Sequence, residues 1–217
     1  MTIFLRLLAE EDKGAALLDV CSRQRAEGSA GHPLIFEVAP EAFDAVPGKP
    51  FAYWVSDAVR ESFRQHPAFQ SCGRTAASGG KTLDDFRFVR TTWERSDTSQ
   101  EDWRGFAKGG SFSPFYADIH LYLGWGNDAE SLKTYLVEYR ASRGWSPNWT
   151  AELHSNDYYF RPGLSWPART NGLSFRVIPA GCIFGHKGPA AFVIEDDPNE
   201  LLALACLLNS SAFGLLV

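Results

Sequence analysis

Hydrophobic and polar positions divide the chain into two textures. Over 9–28 (AEEDKGAALLDVCSRQRAEG) a run of acids precedes an amphipathic pattern that Gly28 closes, which predicts a helix. Residues 32–38 (HPLIFEV) read as a short apolar strand and 40–46 as a brief helical turn. Over 50–67, Tyr53, Trp54, Val55, Val59 and Phe63 fall near helical spacing and a proline ends the run, predicting a second helix. From Ser71 onward the pattern changes to short alternating pieces broken by glycine, and 86–93, 118–123, 173–178 and 182–184 read as strands. Further helices are predicted at about 129–142 and at 198–217. The predicted class is therefore α+β: a helical entry segment (1–69), a mixed, mostly antiparallel β domain with one inserted helix (70–197), and a helical C-terminal end (198–217). The last segment finishes on apolar Leu-Leu-Val with no polar cap, as the start of a longer helical segment would.

Composition narrows the class of function. The chain has 217 residues, 45% apolar and 22% charged, which suits a globular protein with a substantial core. Its net charge of -5 excludes a uniformly basic nucleic-acid coat. The charge is uneven, however. Residues 1–69 hold 7 Lys and Arg against 10 acids, 191–217 hold 4 acids and no cation, and 70–190 hold 14 cations against 12 acids. A weakly basic centre between acidic flanks is compatible with an anionic ligand.

Cys21, Cys72, Cys182 and Cys206 form no C-x-x-C pair and read as reduced thiols. The N-terminus lacks the pattern of a signal peptide, and the apolar run at 201–217 is too short to span a bilayer. A cytoplasmic location without membrane attachment is expected.

Motifs for chemistry are scarce. The stretch A-S-G-G-K-T82 has the wrong glycine spacing for a phosphate loop and reads as a flexible turn, and G-x-S-x-G is absent. The histidines (His32, His66, His120, His154, His186) form no metal-ligand pair and read as solvated or core residues. The stretch S155-N-D-Y-Y159 resembles the Asn-Pro-Pro-Tyr loop with which amino-methyltransferases hold an extruded adenine, but both prolines are missing.

Two polar-aromatic stretches stand out, 103–116 (WRGFAKGGSFSPFY) and 158–170 (YYFRPGLSWPART). Glycine amides and hydroxyls can contact phosphates, arginines can read base edges, and rings can stack on bases. Composition by itself favours the plainer alternative, rings in a core and cations in solvent.

Five blocks then follow in order: 50–63 (PFAYWVSDAVRESF), 71–90 (SCGRTAASGGKTLDDFRFVR), 106–116 (FAKGGSFSPFY), 159–170 (YFRPGLSWPART) and 175–184 (FRVIPAGCIF). With the closing L207-L-N-S-S-A-F213, the chain resembles the C-terminal target-recognition region of the large adenine-specific (N6) DNA methyltransferases of BREX, or phage-growth-limitation, type and of related fused restriction–modification enzymes. The resemblance implies a target-recognition function on double-stranded DNA in phage defence. It also implies a catalytic methyltransferase domain or subunit as partner, together with other phage-defence proteins. S-adenosylmethionine is expected in that catalytic part, because neither its glycine-rich loop nor Asn-Pro-Pro-Tyr occurs in these 217 residues. The chain is accordingly expected to be a fragment, a split gene product or a subunit, without catalysis of its own.

Candidate DNA contacts are Arg161, Trp166, Arg169 and Thr170 on a Pro/Gly-stiffened loop, and Lys108, Gly109, Gly110 and Ser111 for phosphate. Arg74, Thr75, Tyr116, Arg176 and Lys187 complete the set. The alternative reading is a protein-interaction module of a phage-defence complex, docking through an apolar patch at 201–217.

Overall fold

The computed structural model describes residues 1–28, 31–95, 102–170 and 172–214. The chain divides into two compact units, Met1–Ala68 and Phe69–Val217. Its architecture is α+β, with helices and mixed sheets.

In the first unit, strand β1 (Thr2–Leu5) pairs antiparallel with β2 (Ile35–Val38) across helix α1 (Lys13–Glu27), and helix α2 (Asp57–Gln65) closes the unit. Asp12 and Ser56 cap the two helices by accepting the amides of Ala15 and Val59. The entry segment is thus not purely helical. Phe4 on β1 stacks on Tyr53 at 4.6 Å and meets Phe43 edge-on at 5.8 Å. This ring cluster explains why α2 is shorter than its periodicity predicts: Tyr53, Trp54 and Val55 precede the helix and pack in a loop. Arg60, buried on α2, ties that loop down by donating to the carbonyls of Ala52 and Val55 while it pairs with Asp57 at 2.6 Å.

The second unit carries two four-stranded sheets. One has the order β3 (Thr75–Ala77), β10 (Ala190–Phe192), β7 (Gly163–Ser165), β8 (Arg176–Ile178), and every pairing is antiparallel. The other has the order β4 (Val89–Thr91), β6 (Leu121–Gly124), β5 (Trp103–Ala107), β9 (Ile183–Phe184), with β5 and β9 parallel. A parallel bridge between Gly80 and Gly185 links the segment that follows β3 in one sheet to the segment that follows β9 in the other.

Phe106, Leu123, Ile183, Phe184, Ala190, Phe192 and Ile178 form the main core, with Leu132 and Leu136 from helix α4 (Gly126–Ser142) packed among them. A second core holds Leu164 and Val193 against Leu201, Leu204, Ala205 and Leu208 of helix α5 (Pro198–Leu208). Each buried leucine contributes ~2 kcal/mol by removal from water.

Three segments differ from their predicted form. Residues 86–93 start as the short helix α3 (Asp85–Phe88), because Asp84 accepts the amide of Arg87 at 3.1 Å, and only then extend into β4. The segment 158–170 is not a loop throughout, since its centre, β7, is an inner strand buried on both faces. The helix predicted at 198–217 ends at Leu208, and a separate short helix, α6, covers Ser211–Gly214; the last three residues lie outside the described part. Asn209 makes that break. Its side chain donates to the carbonyls of Ala205 and Phe175 (both 2.8 Å) and accepts the amide of Phe175 at 2.9 Å, so it fastens the helix end to the segment entering β8.

Candidate nucleic-acid interface

Four turns distant in sequence converge in the second unit: 79–83 after β3, 108–111 after β5, 166–170 after β7 and 185–188 after β9. Backbone hydrogen bonds fix the convergence. The amide of Gly80 donates to Phe184 (3.1 Å), His186 to Gly80 (3.1 Å), Gly185 to Ala107 (2.9 Å) and Ala168 to Lys187 (2.9 Å). The two glycines of the first turn are buried. A Cβ on Gly79 would run into the Phe184 carbonyl, and one on Gly80 would lie 2.5 Å from the Tyr159 hydroxyl. The stretch A-S-G-G-K-T82 is therefore a close crossing of two chain segments rather than a flexible turn. At the third position Gly109 has φ +95°, and a Cβ there would strike the carbonyl of Lys187.

The convergence gathers charge of one sign. Lys81, Lys108, His186 and Lys187 line one small cavity of about 190 Å³. His186 is held below its ordinary pKa by partial desolvation and by the charges of Lys81, Lys187, Arg169 and Lys108. Burial, helped by the charge of Lys187, lowers the Lys108 ammonium as well. Of the residues lining that cavity the carboxylate is Asp85, which pairs with Lys108 and accepts from the buried Thr82 hydroxyl at 2.5 Å; Asp118 lies across the adjoining cavity from Lys108 and Lys187. Lys81, Arg169 and Lys187 form no ion pair among the described residues. Unpaired like charges held together by a rigid backbone repel one another until an anion arrives. The arrangement has the chemistry to hold an anion.

Beside this cluster, Phe86 on α3 is 96% exposed, and it lines a groove with Arg90 and Lys108. A ring so placed can stack on a base.

The chain is similar to adenine-specific methyltransferases. It is 25% identical over 192 residues to the adenine-specific methyltransferase PglX of Lacticaseibacillus casei (strain Zhang), covering 82% of this chain. It is 27% identical over 177 residues to the adenine-specific methyltransferase BrxX of Escherichia coli O9:H4 (strain HS), covering 77% of this chain. The chain spans 15% and 13% of those two relatives' own lengths. No protein-family profile matches it. The resemblance read from the ordered blocks thus extends over most of the chain, as a resemblance to one region of PglX and BrxX.

Of the residues singled out in the sequence, the fold brings Lys108, Arg169 and Lys187 together. Gly109, Gly110 and Ser111 form the adjoining turn, whose carbonyls at 109 and 111 are held by the buried guanidinium of Arg176. The others are engaged elsewhere. Arg74 pairs with Glu200 of α5 at 2.6 Å. Thr75 shares a hydrogen bond with the Tyr158 hydroxyl at 3.3 Å. Arg161 pairs with Asp196 at 2.7 Å, donates to the Val193 carbonyl at 2.8 Å and lies over the rings of Tyr158 and Phe192. Trp166 packs on Phe175 at 5.1 Å, and Thr170 donates to the carbonyl of Gly172 at 2.6 Å. Tyr116 is exposed and donates to Asp118 at 2.6 Å, a bond that raises its pKa.

The sequence reading passed over Lys81, His186 and Phe86. The available signal was the glycine pair directly before Lys81 and the His-Lys pair directly after Gly185, both flanking short apolar strands.

Among the described residues no group of His, Cys, Asp or Glu could hold a metal ion, and no helix is long and apolar enough to cross a membrane. The four cysteines are free thiols.

Proposed function

We propose that this chain is the DNA target-recognition portion of a site-specific adenine-N6 DNA methyltransferase of BREX type, acting in phage defence. The observation that carries the reading is the set of cations at the convergence of the four turns, Lys81, Lys108, Arg169 and Lys187. They seat the phosphate backbone and fix the register of the duplex, while the exposed rings of Phe86 and of Tyr116, whose hydroxyl is held by Asp118, can meet bases. Arg74, Thr75, Arg161, Trp166 and Arg176 support the frame of this surface through the internal contacts described above. In this reading the methyl donor, S-adenosylmethionine, and the adenine-holding loop belong to a catalytic domain or subunit outside the 217 residues. The double helix and that catalytic part are its partners. The test is fluorescence anisotropy of the whole chain against a labelled duplex over a range of salt. Affinity that falls steeply and linearly with log[salt] supports the reading, and affinity indifferent to salt counts against it.

A second reading, a protein-docking module of a phage-defence complex, is favoured by one feature. Leu202 and Leu207 on the outer face of α5 are 57% and 58% exposed. That reading predicts partner binding insensitive to salt and abolished by Leu202→Glu.

A further inference from the structure

A cavity of about 420 Å³ adjoins the cationic cluster and shares Lys108 and Lys187 with it. Its apolar walls include Phe106, Ile119, Leu121 and Ile178. Across β7 and β8 the register sets Ser165 directly opposite Arg176, so both side chains stand on the face that borders the cavity. The Arg176 guanidinium is spent on the carbonyls of Gly109 and Ser111. Ser165 is different. It is 1% exposed, and its Oγ has no hydrogen-bond partner among the described residues. A buried hydroxyl left alone is costly, and such groups mark places where a ligand completes the bonding.

Lys108 and Lys187 line this cavity as well as the cationic one beside it. The volume lies in the range of small-molecule sites, which pair apolar walls with a few placed polar groups. A flat apolar body with one hydrogen-bonding edge, tethered to a phosphate, is the ligand that fits all three features.

We propose that this cavity takes a nucleobase, hydrogen-bonded by Ser165 Oγ, with the attached phosphate held by Lys108 and Lys187. Two sources share this chemistry, a nucleotide swung out of a duplex and a free mononucleotide. The first rests on the DNA-binding reading above, and the second does not.

The test uses the whole chain and two variants. Ser165→Ala removes the hydroxyl, and Ala117→Trp fills the cavity from a loop position. Calorimetric titration with each of the deoxynucleoside monophosphates is expected to give saturable binding of at least one. That binding should weaken about fivefold in Ser165→Ala, the worth of one ordinary hydrogen bond, and vanish in Ala117→Trp. Ser165→Ala should melt no lower than the parent, since it deletes an unbonded group, so its loss of binding cannot come from misfolding.

In parallel, 2-aminopurine is moved through a bound duplex. A fluorescence rise at one position, absent in Ala117→Trp at unchanged duplex affinity, identifies an extruded base as the source. Mononucleotide binding without that rise identifies a free nucleotide. Duplex binding with neither signal overturns the cavity proposal and leaves the DNA reading intact. Mononucleotide binding without any duplex binding upholds the cavity and overturns the DNA reading. Binding that both variants leave unchanged, or no binding of any kind, overturns the cavity proposal.

Discussion

Replacing Lys187 by Gln should separate DNA affinity from stability. Lys187 is exposed, forms no ion pair among the described residues, and lies close enough to Lys108 and His186 to depress both of their pKa values. Only its backbone carbonyl has a structural task, accepting from Ala168, and the substitution keeps it. The fold therefore has nothing to lose, and relief of repulsion should leave the melting temperature unchanged or slightly raised.

Binding should behave oppositely. If Lys81, Lys108, Arg169 and Lys187 each neutralise one phosphate, the slope of log K against log[salt] is about -3.6, and the variant's is about -2.7. Between about 50 and 200 mM salt the parent should lose affinity ~150-fold and the variant ~40-fold. Anisotropy titrations at four salt concentrations measure both slopes. Arg161→Ala is the control. It breaks an internal pair and a bond to the Val193 carbonyl, so it should cost ~2 kcal/mol of stability and leave the slope alone. Equal slopes for parent and Lys187→Gln would refute the phosphate assignment.

Three further outcomes follow from the same contacts. Gly79→Ala forces a Cβ against the Phe184 carbonyl, which backbone alone must accommodate, and should cost ~1–3 kcal/mol in urea unfolding; a neutral effect would mean that the crossing is loose. Asn209→Ala strands the amide of Phe175, whose carbonyl still accepts from the Phe115 amide at 2.7 Å, and should cost ~1–3 kcal/mol in thermal melts; no loss would mean that the helix end is not fastened there. His186 is a base whose folded-state pKa is depressed, so its contribution to stability is present above the ordinary histidine range and is lost as pH falls below it. A bound polyanion offsets the surrounding cations and raises that pKa, so duplex affinity should climb from about pH 8 to about pH 5.5 while the free chain grows less stable, and His186→Gln should flatten both trends.

The parts of the fold legible in the sequence were those that are long or clearly bounded. Helix α1 follows a run of acids and closes on Gly28, α4 spans 17 residues, and the class of the fold followed from them and from the glycine-broken body. The strands β7 and β10 span three residues each and are buried on both faces, so they alternate nothing and left no pattern to read. Aromatic spacing misled over 50–67, because rings that pack in a loop cluster can fall near helical intervals by accident.

Much the same division runs through the candidate site. Lys108, Arg169 and Lys187 carried a signal in their own neighbours, glycine, threonine and rings. Lys81 has glycine and threonine neighbours too, but its proximity to the others depends on the bridge between Gly80 and Gly185, a contact between two turns about a hundred residues apart in the chain. Arg161 shows the converse: its residue type and its Pro/Gly surroundings resemble those of a DNA contact, and only the fold reveals Asp196 waiting for it.

Recognition of a target, as distinct from attraction to any polyanion, is the central claim, and selection from random sequence tests it most directly. The whole chain is incubated with a pool of duplexes carrying a randomised segment, at salt high enough to suppress non-specific contact, and the bound fraction is sequenced over successive rounds. Convergence on one short motif is expected, lost when Tyr116 and Phe86, the rings placed to meet bases, are replaced by Ala, and kept at lower affinity when Lys187 is replaced by Gln. A bound pool that remains as random as the input at every salt concentration would contradict it.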